Sequence, residues 1–159
     1  MLCESKAIAT YIDRAFPGTK LFPDDAKGAA LVEQWVSLLN TTLIPAMQSY
    51  MVAYYFPGTP DGAPDRARIE TALPQVEKYL QLLDRVVGAT GFLAGDSFSY
   101  ADIDVLPLLA YMKNLPETGA IFATLPNLSV YLETHAKRAS FIATEPPSFE
   151  EFKKMIANS

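Results

Sequence analysis

The sequence predicts an all-α fold, a helical bundle, on three observations. Nearly every segment between turn signals repeats its apolar residues at the helical period. Alternating strand patterns are absent apart from a short ambiguity at Phe92 and Leu93. Half of the 159 residues are hydrophobic, enough for one sizeable core. The first helix is read over residues 5–16, where Ala7, Ile8, Tyr11, Ile12 and Ala15 form one stripe and Pro17 with Gly18 stops it. A longer helix runs from Asp24 past Trp35, Leu38, Leu39 and Leu43, and Pro45 inside the pattern is expected to bend or split it. The segment "YYFPGTPDGAP", residues 54–64, is the clearest loop, because prolines and glycines crowd there and no apolar period survives. Ile69, Leu73, Val76, Leu80, Leu83 and Val87 then mark the most regular helix, with Pro74 inside it, and "VGATGFLAGD" ends it. Further helices are expected over residues 100–113, after Pro126 and, briefly, from Ser140. Pro45, Pro74 and Pro107 each cost about 3 kcal/mol in an unbent helix interior, so tertiary packing has to supply bends.

Composition narrows the function classes. The net charge is −5, and the few Lys and Arg are scattered rather than banked, which argues against a phosphate-backbone ligand and so against nucleic acid. One cysteine, Cys3, permits no internal disulfide, and with one histidine, His135, it makes no metal cluster. A reducing, cytoplasmic setting is expected. No apolar run reaches the roughly 18 residues of a membrane span, and the N-terminus lacks the grammar of a signal peptide.

The stretch "GDSFSYADID", residues 95–104, concentrates serines and aspartates between apolar segments. With Ser99 as N-cap, Asp102 falls at the third helical position, so the two close a capping box with Asp in the Glu role, and Phe98 with Ile103 occupies the two positions of a hydrophobic staple. An acid/base pair of Asp102 and Asp104 is disfavoured, because residues two apart on a helix do not face each other.

The longer stretch "GDSFSYADIDVLPLL" resembles the buried helix in the C-terminal domain of soluble glutathione transferases. "LCESKAIATYID" resembles the segment that starts the last helix of that family's thioredoxin-like glutathione-binding domain. "LFPDDAKGAALVEQWVS" is similar to the linker and first helix of the all-helical domain, and "LPNLSVYLETHAKRASFIAT" to its penultimate region. The pattern is nearest the phi- or theta-like branches. The resemblance implies two parts: residues 1–17 as the last helix of an otherwise absent thioredoxin-like domain, and residues 18–159 as the all-helical domain. It also implies that the family's catalytic Ser, Cys or Tyr lies outside this sequence, so no residue here takes that role and the chain alone is expected to be inactive. Ile8, Tyr11 and Phe16 would then lack partners and form an exposed apolar patch.

By the same resemblance Glu4 and Ser5 belong to the glutathione site. A serine at a helix N-terminus, with free amides and the dipole, suits the γ-glutamyl carboxylate, and Glu4 suits its ammonium. The bland reading is a cap and a solvated charge. Met47, Tyr50, Met51 and Tyr54 fall at i, i+3, i+4 and i+7, and the resemblance makes that face the site for a small hydrophobic electrophile, although such a stripe also describes ordinary core. His135 reads as a partner for a helix dipole, and "HAKR" as a solvated helix end. The implied function is a transferase that joins the glutathione thiolate to a hydrophobic electrophile, homodimeric when full length, with glutathione as co-substrate and no cofactor or metal. The alternatives are a non-catalytic module of the same fold, serving ligand carriage or protein assembly, and an unrelated helical bundle.

Overall fold

The computed structural model describes residues 1–144, 147–148, 151 and 154–155, so the end of the 18–159 region lies partly outside the described residues. Every extended regular element among the described residues is helical: α1 (Ser5–Ala15), α2 (Ala26–Leu38), a π-helical turn (Leu39–Leu43), α3 (Ile44–Tyr55), α4 (Arg66–Thr90), α5 (Tyr100–Lys113), α6 (Pro116–Phe122), α7 (Pro126–His135) and α8 (Ala139–Ala143).

The helix starts follow local chemistry. Asp25 caps α2 by accepting from the Gly28 amide at 2.8 Å, and Asp65 caps α4 by accepting from the Arg68 amide at 3.0 Å. Gly91, at φ 82°, takes the left-handed conformation that closes α4, which a residue with a Cβ adopts only under strain. The long helix containing Pro45 is interrupted in register but not ended: the backbone stays right-handed helical at Leu38, Leu39, Leu43 and Ile44. Pro45 lies in the opening turn of α3, where a missing amide costs least, and the wider π turn just before it accommodates the proline. Asn40 and Thr41 in that turn donate from their side chains to the carbonyls of Val36 and Ser37 at 2.9 and 2.8 Å. Pro74 and Pro107 sit inside continuous helices, next to positions such as Val76 and Leu106 that are held in the core.

The core is assembled from α2 to α7. α4 packs along α3 on one side and α7 on the other, while α5 runs between α2 and the α6–α7 pair, burying Ala101, Val105, Leu109 and Met112. α1 is different. None of its residues is buried, and it turns Lys6, Ala9, Thr10 and Asp13 inward while Ile8, Tyr11, Ile12 and Phe16 face solvent. Polar links hold it: Lys6 pairs with Glu33 of α2, and the Asp13 carboxylate accepts from the Leu21 amide at 2.6 Å. The apolar stripe read from the sequence is thus real, but it is the outer face of the helix.

α6 is an element the periodicity reading does not contain. It spans seven residues, too few to repeat an apolar stripe, yet it carries a start signal in Pro116 at its opening and Glu117 in the first turn.

Candidate functional site

The start of α5 is built around Asp102, which is 0% exposed. Its carboxylate accepts from the Leu93 amide at 3.0 Å, the Ser99 amide at 2.8 Å, the Ser99 hydroxyl at 3.1 Å and the Tyr131 hydroxyl at 2.8 Å. Ser99 and Asp102 close the reciprocal box at the helix start. Burial, and then the Asp102 charge, push the Tyr131 phenol well above its ordinary range, so it stays protonated and donating. Phe98 and Ile103 both line a narrow cleft beside the box, where the Arg138 guanidinium lies 3.7 Å from the Phe98 ring centre, and Ile103 remains 39% exposed. Asp104 serves a different neighbour. It accepts from the Asn40 side chain at 2.6 Å, and burial raises its pKa against the opposing effects of Asn40 and Lys6.

Glu4 and Ser5 open α1. Among the described residues Glu4 is the one non-glycine residue with positive φ, 69°, and none of their side chains hydrogen-bonds to the first-turn amides, so Ser5 does not act as the cap. Instead the Ser5 hydroxyl accepts from the Tyr100 hydroxyl of α5 at 3.4 Å, and Tyr100 stacks on Phe22 with ring centres 5.2 Å apart. The box residue Ser99 immediately precedes Tyr100, so the clasp that fixes α5 also fixes the side chain that meets Ser5.

The α3 stripe divides. Met47, Tyr50 and Tyr54 point into the core, and Met51 lines a cleft with Gln48, Val52, Tyr55, Phe56 and Tyr111. Tyr50 and Tyr54 are also polar anchors. Both phenols donate to Glu117 of α6, Tyr50 at 2.9 Å, and Arg66 pairs with the same carboxylate at 2.8 Å. Burial alone would raise the Glu117 pKa, but the hydrogen bonds from Tyr54, its own backbone, Arg66 and Tyr50 outweigh it and hold the group at about 2.

A family model described as the C-terminal domain of glutathione S-transferase matches residues 66–134. Glutathione S-transferase F14 of Arabidopsis thaliana is 25% identical over 147 residues, covering 90% of this chain and 58% of its own length. The crystal structure of glutathione transferase F7 from Populus trichocarpa superposes with a TM-score of 0.78 at 26% identity, covering 89% of this chain and 68% of that one. A glutathione S-transferase from Methylobacillus flagellatus, solved with glutathione bound, is 31% identical, with a TM-score of 0.72 and coverage of 92% of this chain and 70% of that one. The chain belongs to the glutathione transferase family. It spans less than two thirds of the Arabidopsis transferase's length. The matched region runs from the start of α4 to the end of α7 and contains the whole Asp102 clasp.

Further polar residues tie this transferase domain together without any signal in local sequence. Asp84 of α4 accepts from the Leu128 amide at 2.8 Å and from the Asn127 side chain at 3.2 Å, so one helix caps the start of another. His135 is buried among Phe92, Phe98 and Tyr131, and its Nε2 lies 3.2 Å from the Gly91 carbonyl oxygen, so it braces the loop leaving α4. Cys3 is exposed. Among the described residues no group of His, Cys, Asp and Glu is arranged to hold a metal, and no helix is long and apolar enough to cross a membrane.

Proposed function

We propose that the intact protein conjugates the thiolate of glutathione to small hydrophobic electrophiles, with this chain supplying part of the γ-glutamyl site and the electrophile-site domain. The observation that carries the reading is the uncapped start of α1. There, first-turn amides without a side-chain cap, the Ser5 hydroxyl and the strained Glu4 backbone lie together, with the Ser5 hydroxyl met from α5 by Tyr100. Free amides and a helix dipole favour a carboxylate, Glu4 offers an acceptor to an ammonium, and backbone strain is commonly retained where ligands bind. The γ-glutamyl end of glutathione carries both groups.

In this proposal residues 1–17 belong to a thioredoxin-like domain that covers Ile8, Tyr11 and Phe16, and that domain supplies the group that activates the thiol. The electrophile lies against the α3 face, with Met51 as the residue of the stripe that reaches a cleft, and Met47, Tyr50 and Tyr54 supporting it from the core. The protein works as a cytoplasmic homodimer. Glutathione titrated into the intact protein is expected to bind about 10- to 150-fold more weakly in Ser5→Ala and in Glu4→Ala, the loss of one charge-assisted hydrogen bond each. Unchanged affinity in both variants, with the fold retained, refutes the assignment.

A further inference from the structure

The last turn of α4 and one face of α7 border a cleft of about 350 Å³, whose lining includes Val87, Gly88, Thr90, Asn127, Val130 and Thr134. We propose that it is a binding site for a small organic cation, a primary ammonium carried on one aromatic or branched apolar group. The cleft shares no residue with the Ser5 end of α1 or with the cleft at Met51, and its occupation does not depend on the function proposed above.

The polar groups around the cleft have largely spent their hydrogens and kept their lone pairs. The Thr90 hydroxyl donates to the Gly95 carbonyl at 2.6 Å. The Asn127 amide nitrogen donates to Asp84 at 3.2 Å, which turns Oδ1 the other way as an acceptor. The Tyr131 hydroxyl is committed to Asp102 at 2.8 Å, and His135 Nε2 lies against the Gly91 carbonyl. Thr134 adds a hydroxyl oxygen that can accept. The carbonyls of Gly88 and Thr90, in the final turn of α4, accept from no described amide or side chain. The negative end of the α4 dipole falls at that turn, and the Asp84 carboxylate stands one helical turn further back, behind Asn127. Among the described residues no Lys or Arg lines the cleft. An ammonium brings three donors and a positive charge to this set, whereas a carboxylate would lose water and face mainly lone pairs.

The apolar part of the ligand has its own contacts. Val87 lies buried at the floor, Phe92 is partly exposed beside it, and Val130 is 62% exposed, so a ring seated between them would take apolar surface from water. Two glycines shape the space. Gly88 lets α7 come close, since a Cβ there would lie 2.8 Å from the Asn127 amide nitrogen, and Gly91 has nothing within 4 Å of where a Cβ would stand. The volume falls at the lower end of the roughly 300–1,000 Å³ of small-molecule pockets, which suits one ring on a short chain rather than a polycycle.

The test titrates two probes of near-equal size and opposite charge, 2-phenylethylammonium and 3-phenylpropanoate, into the isotope-labelled chain at neutral pH and follows the amide shifts in proton–nitrogen spectra. The ammonium is expected to move the amides of Gly88, Gly91, Val130 and Thr134 along one saturating curve, and to bind about 10-fold more tightly than the carboxylate. Val130→Lys, at an exposed position that leaves the core untouched, should weaken the ammonium about 10-fold and reverse the preference between the probes. Gln48→Lys, in the cleft at Met51, should change neither affinity. Absence of saturable ammonium binding, saturating shifts confined to residues outside the cleft, or equal or tighter binding of the carboxylate to the unmodified chain would each overturn the site. So would an unaltered ammonium affinity in Val130→Lys or a lost one in Gln48→Lys. Those outcomes leave the glutathione reading standing, which fails only in the Ser5 and Glu4 titrations.

Discussion

Replacing Asp102 by Ala removes the acceptor on which four hydrogen bonds converge. The Ser99 hydroxyl can turn elsewhere, but the Leu93 and Ser99 amides and the Tyr131 hydroxyl keep their places. All three belong to buried residues. Each stranded donor costs about 1–3 kcal/mol, and water admitted to the space left behind recovers part of this, so the net loss is about 3–5 kcal/mol. That is a large share of the roughly 5–15 kcal/mol by which an ordinary domain is stable. At about 2–4 °C per kcal/mol for a chain of this size, the melting temperature should fall by about 6–20 °C. Thermal and urea unfolding followed by circular dichroism at neutral pH measure it. Tyr131→Phe removes one donor and should cost less, about 1.5–3 kcal/mol. Because both side chains belong to one network, the double variant should fall short of the sum by about 1–2 kcal/mol. A drop under about 3 °C in Asp102→Ala, or full additivity with Tyr131→Phe, refutes the view that this carboxylate holds the start of α5.

Glu117 gives a pH prediction whose sign is fixed by its lowered pKa. A carboxyl held at about 2 instead of 4.5 contributes stability that is present above pH 4.5 and is lost as pH falls toward 2. The ceiling is about 3 kcal/mol, which solvent at this partly exposed site reduces to about 1–2 kcal/mol. Glu117→Gln should therefore unfold at lower urea than the parent at pH 7 and at the same urea near pH 2; a gap that persists at low pH contradicts the assignment. Gly119 tests packing against propensity. A Cβ there would lie 2.9 Å from the Lys113 carbonyl oxygen, so Gly119→Ala should destabilise by about 1–3 kcal/mol, although alanine favours helices by about 1 kcal/mol, and a more stable variant refutes the close approach.

The helices that repeat an apolar stripe were legible in the sequence, because burial on one face leaves a period that can be counted. α4 is the clearest case: Ile69, Val76, Leu80, Leu83 and Val87 are all buried. The box at Ser99 and Asp102 was legible for the same reason, as its partners are three residues apart. The other donors to Asp102 were not. Tyr131 arrives from a different helix, and nothing near it in the chain marks it as a partner. Asp84 capping α7 and Glu117 gathering two tyrosines and Arg66 are likewise contacts between distant segments. The inward face of α1 also escaped, because an apolar stripe says that a helix has two sides without saying what meets each.

The π turn at residues 39–43 governs more than the entry of Pro45. Each residue of an α-helix advances the side chains by about 100° around the axis, so one residue more or fewer in that turn would swivel the whole of α3 by about that angle. Met47, Tyr50 and Tyr54 would leave the interior and Met51 and Tyr55 would leave the cleft. The turn is thus a rotational setting, and lengthening or shortening it by a single residue at Thr41, itself exposed, would re-aim the face that lines the cleft while leaving the composition of the helix almost untouched.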